Sequence, residues 1–144
     1  MDIIIGSDHG GFNLKATLIE WLEANQYTVT DAGTYSEESC DYPDIAYKVA
    51  NSVADGTYEK GVLICGTGLG VSITANKVPG IRAAVCGDTF SAKMSRMHND
   101  ANILALGARV IGFGLAIDIL ETWLNAEFEG GRHINRVAKI EPGR

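Results

Sequence analysis

Cys65 closes the apolar run 61–65, and Gly66, Gly68 and Gly70 follow it within five residues. A thiol serves as base or nucleophile only as its thiolate. Free amides and the positive end of a helix dipole favour that form, so a strand-to-helix junction is a seat for proton transfer. A fall of ~1.5 units from the ordinary ~8.5 takes a thiol from a few per cent ionised to about half at neutral pH. The glycines leave backbone N–H groups able to face an anion. Taken alone the sign is weak, because glycine-rich helix starts also arise from packing. A strand-end cysteine is equally a small core hydrophobe. Cys86 ends a strand too, but one glycine follows it and Asp88 would oppose a thiolate, which favours core packing there. Cys40 lies in a polar loop and reads as incidental.

A second glycine-rich stretch, GSDHGG at Gly6 to Gly11, places Asp8 and His9 on a loop after the first apolar run. Neither stretch is the dinucleotide pattern G-x-G-x-x-G or a P-loop, which needs G-K-[ST]. His98, in MHNDAN, is either a working group or a cation at a helix C-terminus. His133 follows Arg132, and Arg136 stands four residues beyond Arg132. On a helix that spacing aims two guanidinium groups one way, as a phosphate requires, although a surface pair facing carboxylates is the plainer reading. The three histidines are scattered and lack paired local ligands, so no metal site is expected.

Five β-type runs position these loops: 3–6, 28–31, 61–65, 81–86 and 102–105. Helix-type segments alternate with them at 11–24, 44–54, 69–77, 89–97 and 115–128. The first carries Leu14, Leu18, Ile19 and Leu22 at helical spacing. Continuous apolar strands alternating with helices predict an α/β fold with a parallel sheet covered on both faces. Right-handed crossovers make it a three-layer doubly wound, Rossmann-like domain with a five-stranded parallel sheet and a C-terminal helical tail. Ligands of such sheets bind beyond the carboxyl ends of the strands, where Asp8 and Cys65 fall.

A chain of 144 residues holds one core and not two, so residues 1–144 read as one domain. Its net charge of −6 argues against a nucleic-acid partner. No run reaches the ~18 apolar residues of a membrane span, and the start MDIII lacks the regions of a secretory signal. Three cysteines without metal-type spacing suggest free thiols and a cytoplasmic location. Charge is uneven: residues 130–144 carry +3 and the rest −9. A basic tail on an acidic body suits an anionic ligand or an acidic neighbour, with Lys139 and Arg144 equally readable as solvated.

The motifs GSDHGG, DAGTYS, DYPD, ICGTGLGVSITANK, GIRAAVC, SRMHNDANILALGARVIG and EGGRHINRV together resemble the ribose-5-phosphate isomerase type B family, in order and over essentially the whole chain. The relatives of that family act on allose 6-phosphate and galactose 6-phosphate. The resemblance implies aldose–ketose isomerisation of ribose 5-phosphate through a cis-enediolate, without metal or cofactor. It assigns Cys65 as the base between C2 and C1, Thr67 and His98 to ring opening, and Asp8 to the ring-oxygen end. It gives Asn99 and the amides of Gly66 to Gly70 to the enediolate. It gives the phosphate or the lining of its pocket to His9, Arg109, Arg132, His133 and Arg136, and a contact with the sugar to Tyr42.

Geometry adds an expectation. A helix over 89–97 starts at the carboxyl face of the sheet and descends ~1.5 Å per residue, leaving His98 more than ~10 Å from Cys65 of its own chain. The helix over 115–128 carries the tail down by ~20 Å in the same way. Both reach a site most easily in another subunit, so a homodimer, or a tetramer built from it, with composite sites is expected. The rival readings are a hexose-6-phosphate isomerase, a non-catalytic phosphate-binding module, and a thiol redox enzyme, the last weakened by the absence of C-x-x-C.

Overall fold

In a computed structural model, residues 1–142 are described; Arg144 of the basic tail lies outside them. The elements run β1 (Asp2–Ser7), a 3-10 turn (His9–Gly11), α1 (Phe12–Ala24), β2 (Thr28–Asp31), α2 (Tyr42–Ala54), β3 (Lys60–Cys65), α3 (Leu69–Ala75), β4 (Ala83–Val85), α4 (Thr89–Met97), β5 (Ile103–Gly107), α5 (Phe113–Asn125) and α6 (Arg132–Ile140). The strands pair in parallel in the order β2-β1-β3-β5-β4.

Alternation along the central strands divides the core into two halves. Ile3, Ile5, Val62, Ile64, Leu104 and Leu106 pack on one face with Leu14, Leu18 and Leu22 of α1, Ala92 of α4, and Ile119, Leu120 and Trp123 of α5. Ile4, Leu63, Cys65, Ile103 and Ala105 face the other way, against α2 and α3 through Ala46, Val49, Ala50, Val53 and Val71. This is the expected doubly wound fold, with helices on both faces.

Of the boundaries that differ from the sequence reading, three have a clear local cause. β4 is shorter than 81–86, because the Arg82 N–H bonds the Asn102 Oδ1 at 2.8 Å. α3 stops before 77, because the Asn76 side chain turns to pair with both the N–H and the carbonyl of Ala83. α5 ends at Asn125, where Ala126 turns extended, and the Glu129 N–H then meets the Met97 carbonyl at 3.0 Å.

Lys15 is the most deeply buried lysine or arginine among the described residues. Lys15 of α1 is 1% exposed, and its Nζ donates to Asp31 Oδ1 at 2.6 Å and to the Thr34 carbonyl, tying α1 to the exit of β2. Replacing it by Met leaves that exit without its donor. Lys15→Met is expected to lose about 1–3 kcal/mol in urea unfolding, below the cost for a fully buried pair because Asp31 is over one-third exposed.

Candidate active site

β1 and β3 are neighbours at the middle of the sheet, and the chain leaves β1 for α1 on one face and β3 for α3 on the other. A crevice opens beyond their carboxyl ends at such a divergence. Asp8 enters it from β1. Its Oδ1 accepts the N–H groups of Gly10 and Gly11 at 2.9 and 3.2 Å, which caps the turn. Its own N–H bonds the Ile64 carbonyl, one residue before Cys65.

Cys65 is 5% exposed, and its Sγ accepts the N–H of Gly68 at 3.1 Å. Gly68 has φ +81, and a Cβ there would stand 3.0 Å from the Leu106 carbonyl carbon, so glycine is required on both counts. The exit of β5 fastens the same loop. Ala108 N–H bonds the Cys65 carbonyl at 2.9 Å and Arg109 N–H bonds the Gly66 carbonyl at 3.0 Å. The exposed Arg109 side chain lies over Gly66 and Gly10; a methyl on either would come within 3.7 Å of its guanidinium nitrogens. Tyr42, the first residue of α2, places its ring where a Cβ on Gly70 would lie, 2.5 Å from Cε1. Thr67 is exposed and its Oγ1 accepts the Leu69 N–H. His9 Nδ1 accepts the Cys40 N–H at 3.2 Å, which places the proton of a neutral ring on Nε2.

Asp8, His9, Tyr42, Cys65, Gly66, Thr67, Gly68, Gly70 and Arg109 therefore gather at one end of the sheet. One sequence reading narrows here: the Gly68 amide is bonded to the sulfur and is not free to face an anion. The backbone N–H of Cys40 holds the His9 ring, a contact that does not depend on its thiol, and its Sγ lies 4.0 Å from Nδ1.

The remaining candidates form a second group. α4 runs back from the carboxyl end of β4, and His98 caps its far end, ahead of the turn into β5. Nine residues of α4 separate the groups by ~13 Å within one chain. His133, in the first turn of α6, stacks on His98 with ring centroids 4.3 Å apart and planes 11° from parallel. Glu129 faces both, its carboxylate oxygens 3.7 Å from His98 Nε2 and 3.6 Å from His133 Nε2. Arg132 and Arg136 project from the same helix and are exposed, as is Asn99. Burial, then the nearby His98 and Arg132, hold the His133 pKa below the usual histidine range.

The histidines are thus less scattered than their sequence positions indicate. The only cue was the i, i+4 spacing of Glu129 and His133. The trio has donor types that suit a metal. Its rings are nearly parallel, however, so their in-plane lone pairs lie in separate planes and do not converge on one ion. A cavity of about 600 Å³ lies not at Cys65 but between the end of α3, β4 and the end of α6, bordered by Asn76, Pro79, Arg82, Asn99 and Ile140.

Three expectations follow from this geometry. A Cβ on Gly107 would stand 2.6 Å from the Thr67 carbonyl oxygen, so Gly107→Ala must shift the 66–68 backbone. A displacement near 1 Å is expected to cost on the order of 10²-fold in kcat/KM, measured on a variant that still melts cooperatively. Burial pushes the Cys86 thiol up to about 11, so alkylation at pH 8 should leave Cys86 unmodified, as peptide mapping can check. His133 takes its proton more readily unfolded than folded. Stability should be flat above pH ~6.5 and fall as pH drops below it, and His133→Gln should remove that part of the slope in urea titrations.

A model of the family described as Ribose/Galactose Isomerase matches residues 3–140. The chain is 51% identical over 138 residues to ribose-5-phosphate isomerase B of Escherichia coli K12, covering 96% of this chain and 93% of that one. It is 48% identical over 141 residues to D-erythrulose-4-phosphate isomerase of Pectobacterium atrosepticum, covering 97% and 93%. The solved structure of Clostridium thermocellum ribose-5-phosphate isomerase B superposes with a TM-score of 0.97 at 61% identity, over 98% of this chain and 95% of the other. The match spans both groups of residues, from the Asp8 loop to α6, and the chain belongs to the ribose/galactose isomerase family.

Proposed function

We propose that the protein is an aldose–ketose isomerase that interconverts ribose 5-phosphate and ribulose 5-phosphate. The observation that carries this reading is the Cys65 sulfur held by the Gly68 amide beside the Asp8 loop. An N–H donated to sulfur supports negative charge on it, as a base for carbon acids needs. Cys65 removes the proton at C2 of the open-chain aldose and returns it at C1. The enediolate formed between these steps is stabilised by Asn99 and by the loop amides that Cys65 and Thr67 leave free. Thr67 and His98 assist ring opening, and Asp8 contacts the ring-oxygen end of the sugar.

The phosphate is held by Arg132 and Arg136, with His133, Arg109 and His9 lining its pocket and Tyr42 against the sugar. A grip remote from the reacting carbons contributes binding energy that positions them. His9 fits as a neutral Nε2–H donor, because Cys40 occupies its other nitrogen.

The two groups of residues lie too far apart in one chain to share a substrate. A homodimer resolves this, with Asp8 and Cys65 of one subunit facing His98, Asn99, Arg132 and Arg136 of its partner.

A second reading has support in the relative that acts on D-erythrulose 4-phosphate. The span between Cys65 and the arginines then fits a different carbon count, and hexose 6-phosphates test the longer side. Comparing kcat/KM for four-, five- and six-carbon sugar phosphates should place ribose 5-phosphate first. Cys65→Ala should lose at least ~10³-fold in kcat, and near-normal turnover would remove the proposed base. Mixing Cys65→Ala with His98→Ala should restore activity after subunit exchange, through the one hybrid site holding both side chains. No recovery in verified hybrids counts against the shared site.

A further inference from the structure

The turn that follows His98 is gripped by a side chain to which the sequence reading gave no role. Arg82 is 17% exposed, and its Nε donates to the carbonyls of both Asn99 and Asp100 at 3.0 Å. Its Nη1 donates to Glu141 Oε1 at 2.9 Å, and the other Glu141 oxygen accepts the Gly80 N–H at 3.1 Å. Glu141 caps the C-terminal end of α6, the helix that begins with Arg132 and His133. One guanidinium thus joins the backbone of the Asn99 turn to the far end of the arginine-bearing helix. At the near end of α6, the His133 ring stacks on His98. The helix is fastened to the same short turn at both of its ends.

The turn itself needs support. Asp100 has φ +47, a left-handed conformation unusual for a residue with a side chain. Its carboxylate takes Arg96 Nη1 at 2.9 Å on one side and faces Arg82 Nη2 at 3.6 Å on the other. The flat fork of an arginine can bridge two carbonyls and a carboxylate together; the point charge of a lysine cannot.

We propose that Arg82 and Glu141 are positioning residues that clamp α6 to the His98–Asp100 turn, so that the phosphate-holding arginines and the His98–Asn99 pair move as one rigid unit. The clamp touches neither the reacting carbons nor the phosphate. It sets the distance between the group that grips the substrate and the groups that act on it, and its catalytic consequences rest on the isomerase reading above.

The test uses the full-length protein with ribose 5-phosphate kinetics, isothermal titration of inorganic phosphate, and thermal melting. Glu141→Ala frees the end of α6. It should raise KM and weaken phosphate binding by about five- to thirty-fold, with a smaller fall in kcat. Arg82→Lys loosens the Asn99 turn as well and should lower kcat more than Glu141→Ala does. Glu141→Gln keeps an oxygen for Arg82 and should recover most of the loss. A folded Glu141→Ala with wild-type KM and phosphate affinity overturns the clamp. If Glu141→Ala does not fold, Arg82→Lys carries the test, and unchanged kcat and phosphate affinity there overturn it equally. Wild-type protein without turnover on any sugar phosphate would sink the isomerase reading instead, and phosphate affinity alone would then decide the clamp.

Discussion

The whole site depends on how closely the 65–68 loop lies over the end of β5. Backbone meets backbone there, with no room for a methyl on Gly107 and a left-handed Gly68 closing the turn. Two β5-side amides, those of Ala108 and Arg109, hold the loop down through the carbonyls of Cys65 and Gly66. Because the loop is pressed flat, the Gly68 N–H reaches the sulfur and Arg109 folds across Gly66 toward the Asp8 turn. A looser loop would leave the same residues in the same order with none of these contacts. The chemistry therefore rests on a packing constraint between main chains before it rests on any side chain.

Electrostatics follows the same division. The carboxyl end of the sheet supplies oriented amides and one guanidinium, while the far end of α4 and the start of α6 supply concentrated positive charge. Arginines near His133 oppose its protonation, and burial does so more strongly, so this ring enters the group as a neutral surface for His98. Glu129 balances part of that charge without direct hydrogen bonds to either ring. Arg132 and Arg136 stand exposed beside this pair of rings, on the same helix as His133.

Much of this was legible in the sequence. Strand runs ending in GSDHGG and CGTGLG indicated the sheet, its parallel sense and the end at which Asp8 and Cys65 meet, because apolar continuity and glycine position are local properties. The direction of α4 was also readable, and with it the separation of His98 from Cys65. What could not be read was long-range pairing. Nothing local announces that Cys40 will donate to His9 thirty-one positions earlier, or that Arg82 will meet Glu141 across fifty-nine. The His98–His133 stack belongs to the same class. At β4 and α3 the boundary shifted where a side chain, Asn102 or Asn76, replaced a backbone partner, and after α5 where the chain met the Met97 carbonyl, each a choice made by tertiary contact.

The route of α4 has an evolutionary consequence. Nothing in its nine residues needs to touch a sugar, yet their number determines where His98 emerges. Adding or removing one residue would swing that imidazole around the helix axis by roughly 100° and shift it by about 1.5 Å. The exposed face of α4 can therefore vary more freely than its length, with Ala92 held by the core and Arg96 by the Asp100 turn.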